Sequence, residues 1–218
     1  SPDTSRISNA IIDGTTSGSG AIHSIGAHPV TLDSVTIRNS ARGAVLGAPG
    51  SRIARSSVEA TTSTSAALDA SGGGVVIDEV TVTNAAGIAV QVNGTDALLR
   101  GLAVEAPALQ GIVIYGAGAT LERVTVNAAG GTGLVASSGR LAAATAVRVK
   151  NGMSYPAELT LENVFELDQD SLKGNGLDTL LVAGGSLAGE MDEFGQVVRV
   201  DTVTIPGDFP WRITSSLG

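Results

Sequence analysis

The chain has 218 residues, which fits one domain or one elongated array and is enough to bury a substantial core. Hydrophobic residues make up 43% of it but aromatic residues only 3%, so Val, Leu, Ile and Ala must build the interior. A net charge of −8, with only 13 scattered Lys and Arg residues, argues against a nucleic-acid partner and against anionic membranes. The absence of cysteine excludes disulfides and thiol chemistry, and no apolar run is long enough for membrane insertion.

An apolar triplet with offsets 0, 3 and 5 recurs along the chain at a period of about 22 residues. Its copies are Ile7-Ala10-Ile12, Leu32-Val35-Ile37, Ile53-Ser56-Val58, Ile77-Val80-Val82, Leu99-Leu102-Val104, Leu121-Val124-Val126 and Ala144-Val147-Val149. A second short apolar run follows each of the first six triplets, as GAIH at 20, GAVL at 43, SAAL at 65, GIAV at 87, GIVI at 111 and GLVA at 133. Short strands closed by turn residues at a constant period predict a stacked solenoid, because one unit cannot bury its apolar face alone.

Leucine-rich repeats share the LxxLxL spacing, and residues 98–106 (LLRGLAVEA) fit it. Three features disfavour this alternative. Asn39, Asn84 and Asn151 lie at offset 7, about one residue earlier than the leucine-rich pattern requires. Val and Ile outnumber Leu at the core offsets, and the second half of each unit lacks the period of a helix.

With these repeats, residues 7 to about 151 resemble the right-handed parallel β-helices of the pectate-lyase-like type. The resemblance implies an all-β fold, a right-handed parallel β-helix solenoid with coils of about 22 residues, each of which gives two or three strands to parallel sheets. We therefore expect regular coils over 1–151. Over 152–218 we expect less regular further coils and continuation into a longer protein.

The period loosens after Gly152 but the spacing returns in TLENVFEL at 160 and in VRVDTVTI at 198, where we expect coil strands. Between them lies an inserted polar loop, residues 166–175. Five of the six aromatic residues follow position 150, namely Tyr155, Phe165, Phe194, Phe209 and Trp211. We expect them to plug a widened end of the solenoid. Stacking on sugar rings is the alternative, and Tyr115 lies in the second strand of its coil.

Charges at the outward offsets alternate in sign along the stack, as in Asp13, Arg38, Glu59 and in Asp78, Arg100, Glu122. Equal offsets of neighbouring coils lie about 4.8 Å apart, so this alternation avoids repulsion and favours a structural role. The alternative is a saccharide-binding face formed by Arg55, Asp78, Glu79, Arg100, Glu122 and Arg123. The Asn residues at offset 7 indicate bends, because Asn tolerates the left-handed conformation and its side chain hydrogen-bonds along a ladder.

The resemblance also implies what a catalytic site would need. Family members that cleave acidic polysaccharides hold calcium with aspartates of adjacent coils, and members that hydrolyse glycosides use paired carboxyl groups. The alternating charges form neither pattern, so we assign no catalytic residue and no cofactor. Asp168 and Asp170 are candidates for a calcium loop, although Leu172 stands where an EF-hand places another oxygen ligand. We assign no metal or base role to His23 and His28.

The sequence therefore favours a non-enzymatic module of a secreted or cell-surface bacterial protein. Such a module acts as a rigid spacer or as a carbohydrate- or ligand-presenting surface, with a polysaccharide or another surface protein as partner. A polysaccharide lyase or glycoside hydrolase of the pectate-lyase-like type is the alternative, and a calcium-stabilised adhesin is a third. An exposed end coil also offers unpaired strand edges, which invite association with another chain.

Overall fold

The computed structural model describes residues 4–16, 18–164, 166–167, 172–183, 189–191, 197–200 and 211–214. The chain coils as an all-β solenoid in which strands of successive turns pair in parallel, about 22 residues apart. The parallel β-solenoid that the repeat predicts is confirmed. The right-handed sense of the coil remains a prediction, supported by the strong preference of connections between parallel strands for that hand.

A 12-stranded sheet covers two sides of the solenoid, which we call the first and second arms. Two long strands, β1 (Ser5–Asp13) and β3 (Val30–Arg38), run through both arms. The first arm continues through β5 (Arg52–Ala54), β8 (Val76–Asp78), β11 (Leu98–Arg100), β14 (Ala119–Glu122) and β17 (Leu141–Thr145). The second arm continues through β6 (Ser57–Glu59), β9 (Thr81–Thr83), β12 (Ala103–Glu105), β15 (Thr125–Asn127) and β18 (Arg148–Lys150).

A nine-stranded parallel sheet closes the solenoid on its remaining side. Its members are β2 (Ile22–Ser24), β4 (Ala44–Leu46), β7 (Leu68–Ala70), β10 (Val90–Val92), β13 (Ile112–Ile114), β16 (Leu134–Ala136), β19 (Ala157–Leu159), β20 (Leu180–Ala183) and β23 (Trp211–Thr214). The second apolar runs provide the first six of these strands. In two turns the strand begins at the last residue of the run, Leu68 and Val90.

The repeated triplets form one continuous core. Offset 0 is in register from turn to turn, so that Ile53 pairs with Leu32 and Ile77, and Leu99 pairs with Ile77 and Leu121. These five side chains are fully buried. The ends of the series are less covered, since Ile7, Ile12 and Ala144 are only partly buried against the core. The prediction that the triplets point into a common interior is thus confirmed.

Each regular turn bends at two corners, where a single residue adopts a positive φ between 47° and 72°. The first corner joins the two arms and is formed by Asn9, Ser34, Arg55, Glu79, Gly101, Arg123 and Ala146. The second corner ends the second arm and is formed by Gly14, Asn39, Ala60, Asn84, Ala106, Ala128 and Asn151. Corner amides pair with the next turn, as where Arg55 N donates to the Asp78 carbonyl at 2.9 Å. The predicted left-handed Asn residues at offset 7 are confirmed.

The C-terminal part departs from the expected spacing. The strand predicted at 160–167 is wrong, because residues Leu161–Val164 form α1, one helical turn that follows β19. Near 198, β22 (Val197–Val200) pairs antiparallel with β21 (Gly189–Met191), and the rest of the segment that returns to the spacing lies outside the described residues. The solenoid nevertheless continues, because β20 and β23 extend the nine-stranded sheet in parallel beyond β19.

Candidate functional site

The proposed saccharide-binding face lies on the outer side of the first arm. The parallel register places Asp78, Arg100 and Glu122 in one column on successive turns. Asp78 is only 8% exposed, whereas Arg100 and Glu122 are half-buried. Glu79 and Arg123 are exposed at first corners of different turns, with Gly101 on the turn between them. Arg55 occupies the first corner one turn before Glu79, so all six predicted residues lie along one edge of the first arm.

Asp78 is the most strongly engaged carboxylate of that face. Arg100 donates from Nε and Nη2 to its two oxygens, both at 2.9 Å, and Arg52 donates from the preceding turn at 2.5 Å. The hydrogen bonds from Arg100 hold the pKa of Asp78 below its ordinary value, burial opposes them, and the charges of Arg100, Arg52 and Arg123 act in the lowering direction. The side chain is therefore a structural anion between two arginines.

Arg55 belongs to a second ion-pair cluster, nearer the first turn. It donates to Asp33 Oδ1 at 2.5 Å, and Arg6 donates to Asp33 Oδ2 at 3.1 Å. The same arrangement, a carboxylate between arginines of the preceding and following turns, thus occurs twice on the first arm. The second arm carries the Asp13–Arg38 ion pair at 2.9 Å. These contacts favour the structural interpretation of the alternating charges.

Two Asn side chains of the second corner, those of Asn39 and Asn151, bond to the preceding turn. Asn39 Nδ2 donates to Asp13 Oδ1 at 3.0 Å, and Asn151 Nδ2 donates to Asn127 Oδ1 at 2.8 Å. The hydrogen bond from Asn39, together with that from Arg38, lowers the pKa of Asp13. At both places a residue at offset 6 of one turn is the acceptor for the Asn at offset 7 of the next.

A polar patch that the sequence did not indicate lies along the nine-stranded sheet. We call it the sheet patch and define it as Arg42, Asp69, Gln91, Asn93 and Tyr115. Asp69 and Gln91 are in register on the outer face of β7 and β10. Asn93 and Tyr115 occupy equal positions one turn apart, directly after β10 and β13, since their amides donate to Ala70 and Val92 of the preceding turns.

Hydrogen bonds connect the polar members of the sheet patch. Arg42 donates to Asp69 Oδ2 at 3.1 Å, Asn93 Nδ2 donates to Asp69 Oδ1 at 3.2 Å, and Gln91 Nε2 donates to Asn93 Oδ1 at 3.1 Å. Tyr115 is 51% exposed beside this network. Asn93 lies 16 residues after Ile77 and Tyr115 lies 16 residues after Leu99, so the triplet period itself could have placed these two residues side by side. The patch combines fixed amide groups with an accessible aromatic ring.

The predicted calcium loop cannot be placed, because Asp168 and Asp170 lie outside the described residues. Downstream of them, Asp178 accepts hydrogen bonds from the backbone amides of Gly174 and Asn175, at 3.2 and 2.7 Å. Within the part of the chain that the structure describes, no group of three or more His, Cys, Asp and Glu residues is arranged to hold a metal ion. His23 is exposed on β2, and His28 is exposed in the loop before β3.

The aromatic residues are placed only in part. Phe165, Phe194 and Phe209 lie outside the described residues, so the predicted plug is untested for them. Tyr155 is half-buried in the loop before β19, and the backbone of Trp211 begins β23. Among the described residues no helix is long and apolar enough to cross a membrane. Comparisons of the chain with family models, curated proteins and solved structures found no match.

Proposed function

We propose that the chain is a non-enzymatic β-helix module of a secreted or cell-surface bacterial protein, in which a rigid solenoid presents the sheet patch to a carbohydrate. The observation that carries this proposal is the exposed Tyr115 ring beside the amide groups of Asn93 and Gln91. A sugar has an apolar ring face, which can stack on an aromatic ring, and hydroxyl groups, which can bond to side-chain amides that both donate and accept hydrogen bonds.

Rigidity supports the same proposal. Asp69 ties Arg42, Asn93 and Ser71 together, and it stands on a strand that pairs on both sides. A polar group held by such contacts loses little conformational freedom when a ligand binds, so less binding energy is spent on ordering. The regular spacing of turns, about 4.8 Å, also offers a repeating surface for an extended chain.

The lowered pKa of Asp78 argues against glycoside hydrolysis on the first arm and favours a binding role. A general acid of a glycosidase requires a carboxyl group whose pKa is raised, so that it holds its proton near neutral pH. Asp78 has the opposite environment, with arginines on both sides that lower its pKa. A polysaccharide lyase or hydrolase of the pectate-lyase-like type remains the alternative proposal, based on the resemblance of the repeats.

Calorimetric titration with a panel of neutral and acidic polysaccharides, in the presence of calcium, tests the proposal. We expect saturable heat with at least one polysaccharide, and roughly tenfold weaker binding for Tyr115→Ala, because stacking of a ligand on an aromatic ring is worth about 1 to 3 kcal/mol for nucleic-acid bases and we take a value at the lower end for a sugar. Met153→Ala is the matched control, since Met153 is exposed on another edge of the solenoid. Its affinity should equal that of the unmodified chain.

Two outcomes contradict the carbohydrate-presenting proposal. Heat that continues after each injection indicates turnover, and product analysis would then identify a lyase or hydrolase. No heat with any polysaccharide leaves the chain as a spacer that supports another part of a protein. If Tyr115→Ala binds the polysaccharide as tightly as the unmodified chain does, the ligand site lies outside the sheet patch. The six-residue face of the first arm is then the next candidate.

A further inference from the structure

A pocket of about 310 Å³ opens beside the nine-stranded sheet. The loop after β16 forms one wall and the segment after β19 forms the other, with Ser138, Gly139, Arg140, Thr160 and Glu162 as lining residues. Ser138 and Arg140 are exposed, whereas Thr160 and Glu162 are half-buried. Among the described residues that line the pocket, every side chain is polar. The pocket therefore suits a polar ligand.

Arg140 is the cationic group of this pocket. Within the described part of the chain, most arginines are ion-paired, but Arg140 takes part in no salt bridge. It does not pair with Glu162, although both side chains line the same pocket. A guanidinium group carries five N–H donors and no acceptor. The donors of Arg140 are therefore available to a ligand.

The backbone on both sides of Arg140 is held by one buried side chain. Asn163 Nδ2 donates to the Gly139 carbonyl at 2.7 Å, and Asn163 Oδ1 accepts from the Leu141 amide at 2.9 Å. Asn163 belongs to α1, as does Glu162, so these bonds also tie the two walls of the pocket together. A site whose walls are already fixed spends little binding energy on ordering.

The pocket continues the sheet patch along the solenoid. A Cβ atom at Gly139 would lie 2.9 Å from the Tyr115 carbonyl oxygen, so one wall packs on the residue that carries the exposed ring. Thr160 occupies the position of Tyr115 two turns later, since each directly follows its strand and donates its amide to the preceding turn. Two steps of about 4.8 Å put these positions about 10 Å apart along the stack. One sugar ring is too short to contact both, whereas an oligosaccharide spans them.

The charges of the pocket favour a neutral ligand. Arg140 only donates hydrogen bonds and the carboxylate of Glu162 only accepts them, while the hydroxyl groups of Ser138 and Thr160 do both. A sugar hydroxyl also donates and accepts, so it can bond to each of these groups. An acidic sugar would bond to Arg140, but Glu162 and the net charge of −8 on the chain would repel it.

We propose that this pocket is a second subsite of the sheet patch, and that the two together bind a neutral oligosaccharide along the solenoid axis. One sugar ring stacks on Tyr115, and a later ring of the same chain lies in the pocket, where its hydroxyl groups accept from Arg140. This inference rests on the proposed function and adds to it the charge and the minimum length of the ligand.

Calorimetric titration with oligosaccharides of increasing length tests the second subsite. The probes are cello-, xylo- and manno-oligosaccharides from the disaccharide to the hexasaccharide, with oligogalacturonides of the same lengths as acidic counterparts. We expect one neutral series to bind about tenfold more tightly once its members reach from Tyr115 to Arg140, because hydrogen bonds to charged groups are stronger than neutral ones. Arg140→Ala should remove that gain, so that long and short members bind it alike. Oligogalacturonides that bind more tightly than every neutral series would overturn the assignment of a neutral ligand.

Arg148→Ala is the matched control for the loss of a positive charge. Arg148 is equally exposed and also forms no salt bridge within the described part of the chain, but it lies on β18 of the second arm, away from the pocket. This variant should bind every probe as the unmodified chain does. The unfolding midpoint of Arg140→Ala should equal that of the unmodified chain, because the Arg140 side chain is exposed and unpaired.

The two variants of the site separate this inference from the proposed function. If Tyr115→Ala weakens binding and Arg140→Ala does not, the second subsite is refuted and the sheet patch stands as the binding site. If Arg140→Ala alone weakens binding, the sheet patch is refuted, and the joint site with it. Absence of binding by every oligosaccharide refutes both.

Discussion

Asn163 Oδ1 accepts a hydrogen bond from the Leu141 amide at 2.9 Å, although the two residues belong to different turns. The Asn163 amide nitrogen donates to the carbonyls of Ala136 and Gly139, at 2.8 and 2.7 Å. The side chain is fully buried. It satisfies three backbone groups between β16 and β17 at the point where α1 replaces the expected strand.

Replacement of Asn163 should therefore destabilise the solenoid. Asn163→Ala leaves one buried donor and two buried acceptors without this partner, and we expect a loss of about 3 kcal/mol in the free energy of unfolding. Urea unfolding followed by circular dichroism measures the change. Asn127→Ala is the control, because Asn127 is half-buried and its side chain bonds to other side chains at the surface. It should cost less than about 1 kcal/mol.

Asn163→Asp separates geometry from hydrogen bonding. A carboxylate has nearly the same shape and still accepts from Leu141, but it has no N–H group for the Ala136 and Gly139 carbonyls. We expect this variant to be at least as unstable as Asn163→Ala at neutral pH. Stability equal to that of the unmodified chain would show that the buried amide is not needed.

The core of the fold could be predicted from sequence because it repeats. Leu99 lies at the same offset as Ile77 and Leu121, and a parallel ladder forces equal offsets into one column. The bend at Asn84 was also predictable, since Asn tolerates a positive φ. Arg55, Glu79 and Arg123 adopt the same conformation, but their side-chain types disfavour it, so only the coiling of the chain imposes it.

The residues that were missed depend on contacts between turns that the triplet does not describe. Asn163 was assigned to a strand because its neighbours match the spacing, and only the buried carbonyls of an earlier turn explain its place. The sheet patch collects Asp69, Gln91 and Tyr115 from three turns. Asp69 lies 16 residues after Ile53 but is in register with Gln91, which lies 14 residues after Ile77, because the loop before β7 is two residues longer than the loop before β10. A period measured on the first arm therefore misaligns these two residues.

The ion pairs of Asp78 should make stability depend on pH in the acidic range. Because its pKa is lowered in the folded chain, the contribution of Asp78 is present above the ordinary pKa of an aspartate, about 3.9, and is lost as the pH falls through the folded value. We expect Asp78→Asn to lower the free energy of unfolding by about 1 kcal/mol at neutral pH. The difference from the unmodified chain should shrink below about pH 4.

Glu122→Gln is a matched control for this pH dependence. Glu122 stands two turns from Asp78 in the same column and is half-buried on the same face. It forms none of the salt bridges observed in the part of the chain that the structure describes. Chemical unfolding at a series of pH values should give little change for this variant. An equal loss in both variants would assign the effect to net charge and not to the arginine contacts.

Glycine at a first corner should stabilise the solenoid. Arg123 is exposed, with a φ of 54°, and its amide donates to the Thr145 carbonyl at 2.8 Å, a bond that glycine retains. A side chain in the left-handed conformation costs about 1 kcal/mol, and Gly101 already occupies the equivalent position one turn earlier. We expect Arg123→Gly to raise the free energy of unfolding by about 0.5 kcal/mol, after the greater entropy of glycine in the unfolded chain is allowed for.

Arg148→Gly provides the comparison for that corner. Arg148 is equally exposed but lies within β18, where the backbone is extended. Glycine there gains nothing in the folded state and adds entropy to the unfolded chain, so we expect a loss of about 0.5 to 1 kcal/mol. Opposite signs for the two variants in urea unfolding support the corner assignment. Destabilisation of equal size in both would refute it.

A column of glycines after the nine-stranded sheet should not tolerate side chains. A Cβ atom at Gly94 would overlap the Gly72 carbonyl oxygen, and one at Gly116 would overlap the Gly94 carbonyl oxygen. These are backbone atoms of the adjacent turn, which cannot move without breaking the ladder. We expect Gly94→Ala to cost about 3 kcal/mol or more, as in an overpacked core. Gly73→Ala is the control, since the nearest atom to its Cβ would be Thr95 Oγ1 at 3.5 Å. Thermal unfolding should show a lower midpoint for Gly94→Ala and little change for Gly73→Ala, and similar midpoints would mean that the turns are not in close backbone contact here.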